Sequence, residues 1–567
     1  MKTIKYFLCL LLPMLAITSC KDDSIVENPS GETIIYNIFI TNGGLAGSTR
    51  YAGVVDMDSK TVTFNDVAIE TDLQNLKFGG KISLGANFDK ESYNFLEGQP
   101  NAVVHTLTQP IRLISGKNIT DYEVTLNLKA PQAKPMVGKL EVQTGSGRTV
   151  VATIDLTDKM IYLNTPSESE VTLKSISVIP LRTTYSFTNL SNNKLSKDNP
   201  GSIELDFLGI TDRYQIFFDE APAAGINFGV PIIHDFSLRT GNLYPDFTAE
   251  DTRSADLDNE HILIVSRAGG TRPYLLRVRD VMAGNANLPI ALKTTGIAGG
   301  TFPVSYGRLT QGRIYVCNLS TGLADSDVGK LKIYYWETPT SDPELILDFS
   351  GIVNEVALST GRFGDNMSID LDEKGDGYVY FVHQSANETL RFTVTGFTTV
   401  SDPIMMKPGD AFYYAFYNRI GLENEYLYTS TVAAVIKLLD KDGNELAQID
   451  KLTHGTTMNA TRGTNARVIN YNSGRYLIMT SGRQQNAWPF PALFIYDITE
   501  GFNTQAAFVK FKEKQPDPVF FYQMGEPAAS GGCAGIAAWA PIDGKLCILA
   551  ASPRSGFVLI EFPKNQK

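Results

Sequence analysis

Between residues 254 and 562, apolar positions recur in short blocks that come round six times. The most visible block of each round is a mostly apolar strand: HILIVSR (261–267), RIYVCNL (313–319), YVYFVHQ (378–384), EYLYTS (425–430), RYLIMTS (475–481) and KLCILAA (545–551). A second follows each, YLLRV, KLKIYYW, LRFTV, AVIKLLD, ALFIYDI and GFVLIEF, and most rounds add a third, LPIAL, ELILDF, ELAQI or AAFVKF. Ahead of each block lies a more polar stretch with small residues: SADLD, PVSYGRL, DNMSIDLD, AFYYAFYNR, ARVINY and AGIAAWA. These read as innermost strands, which crowd at the centre of a ring where small residues fit. A period near 50 in short strands predicts a β-propeller of four-stranded blades over residues 230–563. Six blades are counted, and the long spacings around 320–378 and 500–545 leave seven open. The sixth round ends after GFVLIEF, so its fourth strand is expected from upstream, at Ile232–Leu238, where it would close the ring and remove a free sheet edge.

The pattern before the ring is also all-β. Residues 33–128 read as short strands (TIIYNIFI, YAGVVDM, TVTF, KISLGANF, AVVHTL, YEVTLNL), and a linker with two prolines, Lys129–Pro135, follows. A second series (KLEVQT, VVATIDL, MIYL, VTLKSISVI, SIELDF, RYQIFF) fills residues 134–220. The stretches Val55–Val62 and Ile154–Ile161 share one layout: apolar, Asp, apolar, two turn residues, Lys, any, apolar. One hairpin used twice, in units of about 100 residues with six or seven strands, suggests tandem β-sandwiches of immunoglobulin type. No Cys–Trp–Cys core marks an antibody-type domain. Lys60 and Lys159 read as solvated turn lysines, and both units as spacers.

Hydropathy sets the first 19 residues apart: Lys2 and Lys5, then an apolar run from Tyr6 to Ile17, then small residues, which is an export signal too short for a membrane span. Ile17-Thr18-Ser19-Cys20 resembles a bacterial lipobox, so Cys20 is the expected lipidation site and residues 20–32 a lipidated tether. Lys21-Asp22-Asp23 resembles the surface-export signal of Bacteroidota lipoproteins, and Asp23-Ser24-Ile25 an O-glycosylation site of that group. The formal net charge of −11 falls to about −13 once Lys2 and Lys5 leave with the signal, which argues against nucleic acid as a partner. Cys317 and Cys547 occupy similar points of the repeated strand and read as buried core thiols; a Cys533–Cys547 bridge stays open.

Candidate chemistry is sparse. In a propeller the turns after the innermost strands emerge on one face and nearly all the loop length on the other, and binding residues concentrate in such loops. The two richest loops are 480–491, with Arg483, Gln484, Gln485, Asn486, Trp488 and Phe490, and 512–532, with Phe520, Phe521, Tyr522, Gln523 and Glu526. Aromatic faces pack on the C–H face of a pyranose while amides and guanidinium groups bond its hydroxyls. Arg483, Gln485, Asn486, Trp488, Phe490, Phe521, Tyr522 and Glu526 are therefore the expected ligand-binding residues; Trp488 and Phe490 pinning a Pro-rich loop is the plainer alternative. Asp440–Glu445 resembles the start of a calcium loop but reads as an Asp-Gly hairpin turn, and Asp370, Asp372 and Asp376 form another oxygen-rich turn. The five histidines, among them His234 and His383, are scattered without metal spacing, and no nucleophile elbow, zincin helix or phosphate loop is present. No cofactor, metal or catalytic residue is expected.

Lipobox, acidic export signal, tandem Ig-like units and a terminal propeller together resemble a Bacteroidota surface lipoprotein of a Sus-type glycan-utilisation system. That resemblance implies an outer-membrane, lipid-anchored protein facing the exterior, a polysaccharide or oligosaccharide ligand bound non-catalytically, and a Sus-type transporter complex as partner. Two other readings stand beside it. A propeller glycosidase or lyase needs two carboxylates facing each other across a central pocket, for which Asp256, Asp365 and Glu526 are candidates. A protein-binding or adhesion scaffold needs a broad apolar patch.

Overall fold

The computed structural model describes residues 31–565 except 46, 48, 98–104, 132, 157–158, 222, 268–272, 324–328, 355, 360, 409–414, 421–424, 430–435, 451, 453–462, 482–489, 502 and 526–535. The chain is all-β and divides into two compact units, one drawn from Met1–Val137, Val178–Ser186 and Glu204–Asp212, the other from Gly138–Ser177, Phe187–Ile203 and Arg213–Lys567. Among the described residues no helix is long and apolar enough to cross a membrane.

The first unit is built on one seven-stranded sheet. Its strands run, in spatial order, Phe78–Ile82, Ile35–Gly43, Thr49–Asp56, Thr61–Val67, Asn118–Leu128, Thr106–Ser115 and Asn87–Phe88. Thr61–Val67 and Asn118–Leu128 pair in parallel. Period-two burial explains the register: Tyr122, Val124 and Leu126 are buried while Asp121 and Glu123 are exposed, and Val62, Phe64, Ile38 and Ile40 complete the core.

In the hairpin that occurs twice in the sequence, the turn lysine has the same backbone geometry in both places. Lys60 and Lys159 each take φ of 55°, and their carbonyls accept from Glu123 N and Gln215 N, both at 2.9 Å. Neither lysine is simply solvated, because Lys60 lies over the Tyr122 ring at 5.7 Å and Lys159 over Tyr214 at 5.1 Å, a cation–π contact in each copy. The carboxylates differ. Asp56 is exposed and takes the turn amides of Asp58 and Ser59, whereas Asp155 is buried and accepts from Ser473 Oγ at 2.8 Å.

Among the described residues of the second unit, six sheets of four or more strands follow one another from Thr252 onward, each built on an antiparallel meander. Their first strands are Thr252–Leu257, Phe302–Thr310, Ser368–Leu371, Phe416–Arg419, Gly463–Tyr471 and Ile536–Ile542. Each packs against the first strand of the next sheet, and Ile536–Ile542 packs against Thr252–Leu257, so these strands form a closed, propeller-like ring. The sixth sheet takes its outer strand from upstream: Ile232–Ser237 pairs antiparallel with Gly556–Phe562, from Ile232↔Glu561 to Ser237↔Gly556. Second strands are buried almost throughout, as their unbroken apolar runs require. Cys317 and Cys547 are buried free thiols there, and Cys533, the other half of the bridge left open, lies outside the described residues.

Two strand expectations and one loop expectation are corrected. The segment containing AAFVKF is a helix, Thr504–Lys514. Asn503 caps it by accepting from Ala506 N at 2.8 Å, and the buried Thr504, Ala507, Phe508 and Phe511 follow helical rather than period-two spacing. LPIAL contributes only the two-residue strand Ile290–Ala291, after a short helix Val278–Met282. The stretch 512–532, expected as a loop, contains the outer strand of the fifth sheet, Phe520–Gln523.

Candidate functional site

Crowding at the ring centre excludes bulk. Gly307 shows how closely the first strand of the second sheet approaches the first sheet, since a Cβ there would stand 2.7 Å from the Leu263 and Val265 side chains of that sheet's second strand, His261–Ser266. Ser254 on the neighbouring strand uses the gap: its hydroxyl donates to Gly307 O at 3.1 Å and accepts from Gly307 N at 2.9 Å. This latch sets two charged residues side by side, Asp256 two positions on from Ser254 and Arg308 immediately after Gly307.

Around them the other first strands add polar groups. Arg308 Nη1 lies 3.4 Å from Asp256 Oδ1, and its Nη2 donates to Asn418 Oδ1 at 3.2 Å. Asn418 Nδ2 donates to Asn465 Oδ1 at 2.9 Å and to Ala466 O at 3.1 Å. Arg467 Nη2 stands 3.5 Å from Asp256 Oδ1, while Asp256 Oδ2 accepts from Leu309 N at 2.8 Å. Asp370, on the third sheet, faces Arg308, Arg419 and Asp256. Burial raises the carboxyl of Asp256 against the pull of Arg308. Burial likewise pushes Asp370 up to about 7, with Arg308 and Arg419 opposing and Asp256 adding to the rise. Three donors in this network are buried without a hydrogen-bond partner: Asn465 Nδ2, Arg467 Nε and Arg467 Nη2.

A second cluster sits where the second strands end and the first strands begin. Arg267 Nη2 donates to Asp365 Oδ1 at 2.9 Å, and Arg362 grips the same carboxylate with Nε at 2.8 Å on Oδ2 and Nη2 on Oδ1. Arg267 also donates to Ser305 Oγ, at 3.1 Å from Nε and 2.7 Å from Nη2, and Ser305 donates to Gly364 O at 2.5 Å. Burial pushes the Asp365 carboxyl up, but the two guanidinium groups outweigh it and hold it below the usual range.

Of the residues singled out from the sequence, Cys20, Arg483, Gln485, Asn486, Trp488 and Glu526 lie outside the described residues, as does Cys533. Phe490 is half-buried just before the strand Ala492–Asp497. Phe521 and Tyr522 are on the outer strand of the fifth sheet rather than in a loop. Phe521 packs on Phe494 at 5.0 Å, and Tyr522 is buried, its hydroxyl on Asp235 and its ring under Arg239 at 4.6 Å. The turn carboxylates hold backbone. Asp440 Oδ1 accepts from Asp442 N and Asn444 N, Asp442 pairs with Arg391, and Asp372 accepts from Lys374 N and Asp376 N. Among the described residues no group of three or more His, Cys, Asp and Glu is arranged to hold a metal. His383 is fully buried, its Nδ1 accepting from Ser385 N and Ala386 N. His234 bonds Glu561 at 2.7 Å across the closing strand pair.

Asp256 and Asp365, named together as candidate carboxylates, fall in different clusters. Arg308, Asn418, Asn465 and Arg467 were missed. Their signal was a polar residue in an otherwise apolar first strand, which identifies a member of the centre only once the strand order is known.

The profile of a family described as a domain of unknown function, DUF4623, matches residues 23–136 and 215–565, leaving out 137–214. Among curated proteins none matches the sequence. The crystal structure of a DUF4623 family protein from Bacteroides eggerthii DSM 20697 is similar at 25% identity, over 94% of this chain and 99% of that one, with a TM-score of 0.54. A subtype N10 neuraminidase-like protein of A/little yellow-shouldered bat/Guatemala/060/2010 is similar at 11% identity and a TM-score of 0.33, over 57% of this chain and 97% of that one. Hsv2 of Kluyveromyces lactis is similar at 8% identity and a TM-score of 0.29, over 53% and 92%. With a profile match over well more than half of its length, the chain belongs to the DUF4623 family.

Proposed function

We propose that this protein is a lipid-anchored surface protein that binds glycan without turning it over, through one face of a six-bladed propeller. The observation that carries this reading is the polar lining of the ring centre. Asp256, Arg308, Asp370, Asn418 and Arg467 put donors and acceptors where a ring of strands alone would favour small apolar side chains. A polyhydroxylated ligand needs such groups, with aromatic faces beside them. In this reading Arg483, Gln485, Asn486, Trp488, Phe490 and Glu526 supply the outer contacts. The two β-rich segments before the ring are Ig-like spacers, Cys20 carries the lipid on the outer membrane, and a Sus-type transporter complex is the partner.

The test is affinity electrophoresis of the chain from Ser24 onward against host and plant polysaccharides, with Trp488→Ala alongside and reducing-sugar release measured in the same tubes. Retardation lost in the variant and no sugar release support the reading. No retardation on any polysaccharide overturns it.

One observation favours a second reading, a glycoside hydrolase. Asp256 and Asp370 are two carboxylates at the same centre, and a carboxyl near 7 suits a general acid. Sugar release that disappears in Asp370→Asn would establish that reading in place of the first.

A further inference from the structure

The central network has more donors than acceptors. Arg308 donates to Asn418, Asn418 donates to Asn465, and the relay ends on the Asn465 Nδ2 amide, which is fully buried and bonds nothing. Arg467 adds two further N–H groups without a hydrogen-bond partner, its contact with Asp256 being an ion pair at 3.5 Å. Buried donors left without partners mark a place where an acceptor belongs, because each costs the desolvation of its N–H. The acceptor that matches an amide beside a guanidinium is a planar, acceptor-only anion, since a carboxylate takes two parallel N–H bonds. Among the described residues Arg308 and Arg467 meet Asp256, and Arg308 and Arg419 face Asp370.

We propose that the centre of the ring is a carboxylate subsite and that the glycan it serves is a uronate-containing, acidic one. This rests on the glycan-binding reading above and narrows it. The protein's own charge of −11 repels polyanions at long range, so retention of an acidic chain requires a built site rather than general attraction. A pH dependence follows. Asp370 is faced by Arg308 from the second sheet, Arg419 and Tyr426 from the fourth and Asp256 from the first, and its carboxyl gains a proton as pH falls through about 7. Protonation removes a negative charge from the subsite and adds a donor, so uronate affinity rises on acidification.

The experiment compares polygalacturonate with its methyl ester, which keeps the chain and removes the charge. Neutral galactan and dextran sulfate are controls, all run with the chain from Ser24 onward. Polygalacturonate is expected to be retained more tightly than the ester, and more tightly at pH 6 than at pH 8, with Asp370→Asn flattening that difference. Arg467→Gln and Asn465→Asp, each checked for fold by circular dichroism, are expected to weaken uronate binding about tenfold or more. Equal retention of acid and ester, or matching retention of dextran sulfate, overturns the carboxylate subsite. So does full uronate binding by both folded variants. Retention of galactan or other neutral chains alone overturns this proposal and leaves the glycan reading standing. Retention of no polysaccharide overturns both.

Discussion

Two clusters of arginine and aspartate sit on the same ring of strands, and they are chemically unlike. At the start of the first strands, Asp365 has a donor on each oxygen, from Arg267 and Arg362, and Ser305 passes one hydrogen bond on to Gly364. Toward the other end, Asp256 meets two guanidinium groups only at 3.4 and 3.5 Å, and donors remain on Arg467 and Asn465. The carboxyls respond in opposite directions, Asp365 down and Asp256 and Asp370 up. A buried ion pair that satisfies itself is architecture; one left with unbonded donors is where a ligand is worth seeking.

The sharpest way to break this comparison is to open the closed cluster. Asp365→Ala leaves Arg267 buried with no carboxylate, and the cost is expected at about 3–5 kcal/mol, read as a lower denaturant midpoint of the full chain. Next comes the strand approach that assembles the open cluster. Gly307→Ala drives a methyl group to within 2.7 Å of Leu263 and Val265, at an expected cost of about 1–3 kcal/mol by the same measurement.

The open cluster has a pH signature of its own. Asp370 carries its proton up to about 7 in the folded chain, against 3.8 as the ordinary value, so between those pH values the folded state binds more protons than the unfolded one. Stability contributed by this group therefore falls as pH rises from about 4 to about 7 and levels off above that. The group is partly exposed, so a change on the order of 1–2 kcal/mol is expected. Denaturation midpoints of Asp370→Asn, compared with the native chain from pH 5 to pH 8, should lack this slope. An unchanged slope would place the titrating group elsewhere.

What could be read from sequence depended on range. The second strands were legible because runs such as KLCILAA are buried on both faces. The closing strand Ile232–Leu238 was legible because the sixth round lacked a partner, and Ile232–Ser237 does pair with Gly556–Phe562. The helix Thr504–Lys514 was not, since AAFVKF is apolar enough for a strand and the deciding features are a cap at Asn503 and the spacing of Ala507, Phe508 and Phe511. Lys60 and Lys159 passed for solvated turn residues because Tyr122 and Tyr214, their partners, are more than 50 positions away. The centre was least legible: Asp256, Arg308, Asp370, Asn418 and Arg467 are roughly 50 residues apart and become one site only when the ring closes. Local propensity carries no trace of such a meeting.

The smallest expected effect is also the most discriminating. Arg467 contributes little to its own cluster: its contact with Asp256 is 3.5 Å long, Asp256 keeps Arg308 and the Leu309 amide, and two Arg467 donors bond nothing. Arg467→Gln is therefore expected to cost under about 1 kcal/mol in the denaturant midpoint, several times less than Asp365→Ala, because no buried charge is left alone. If Arg467 were an architectural residue like Arg267, removing it would expose Asp256 to the same desolvation penalty and the two variants would fall together. A chain that stays as stable but no longer holds its ligand is the outcome that separates a residue kept for binding from one kept for the fold.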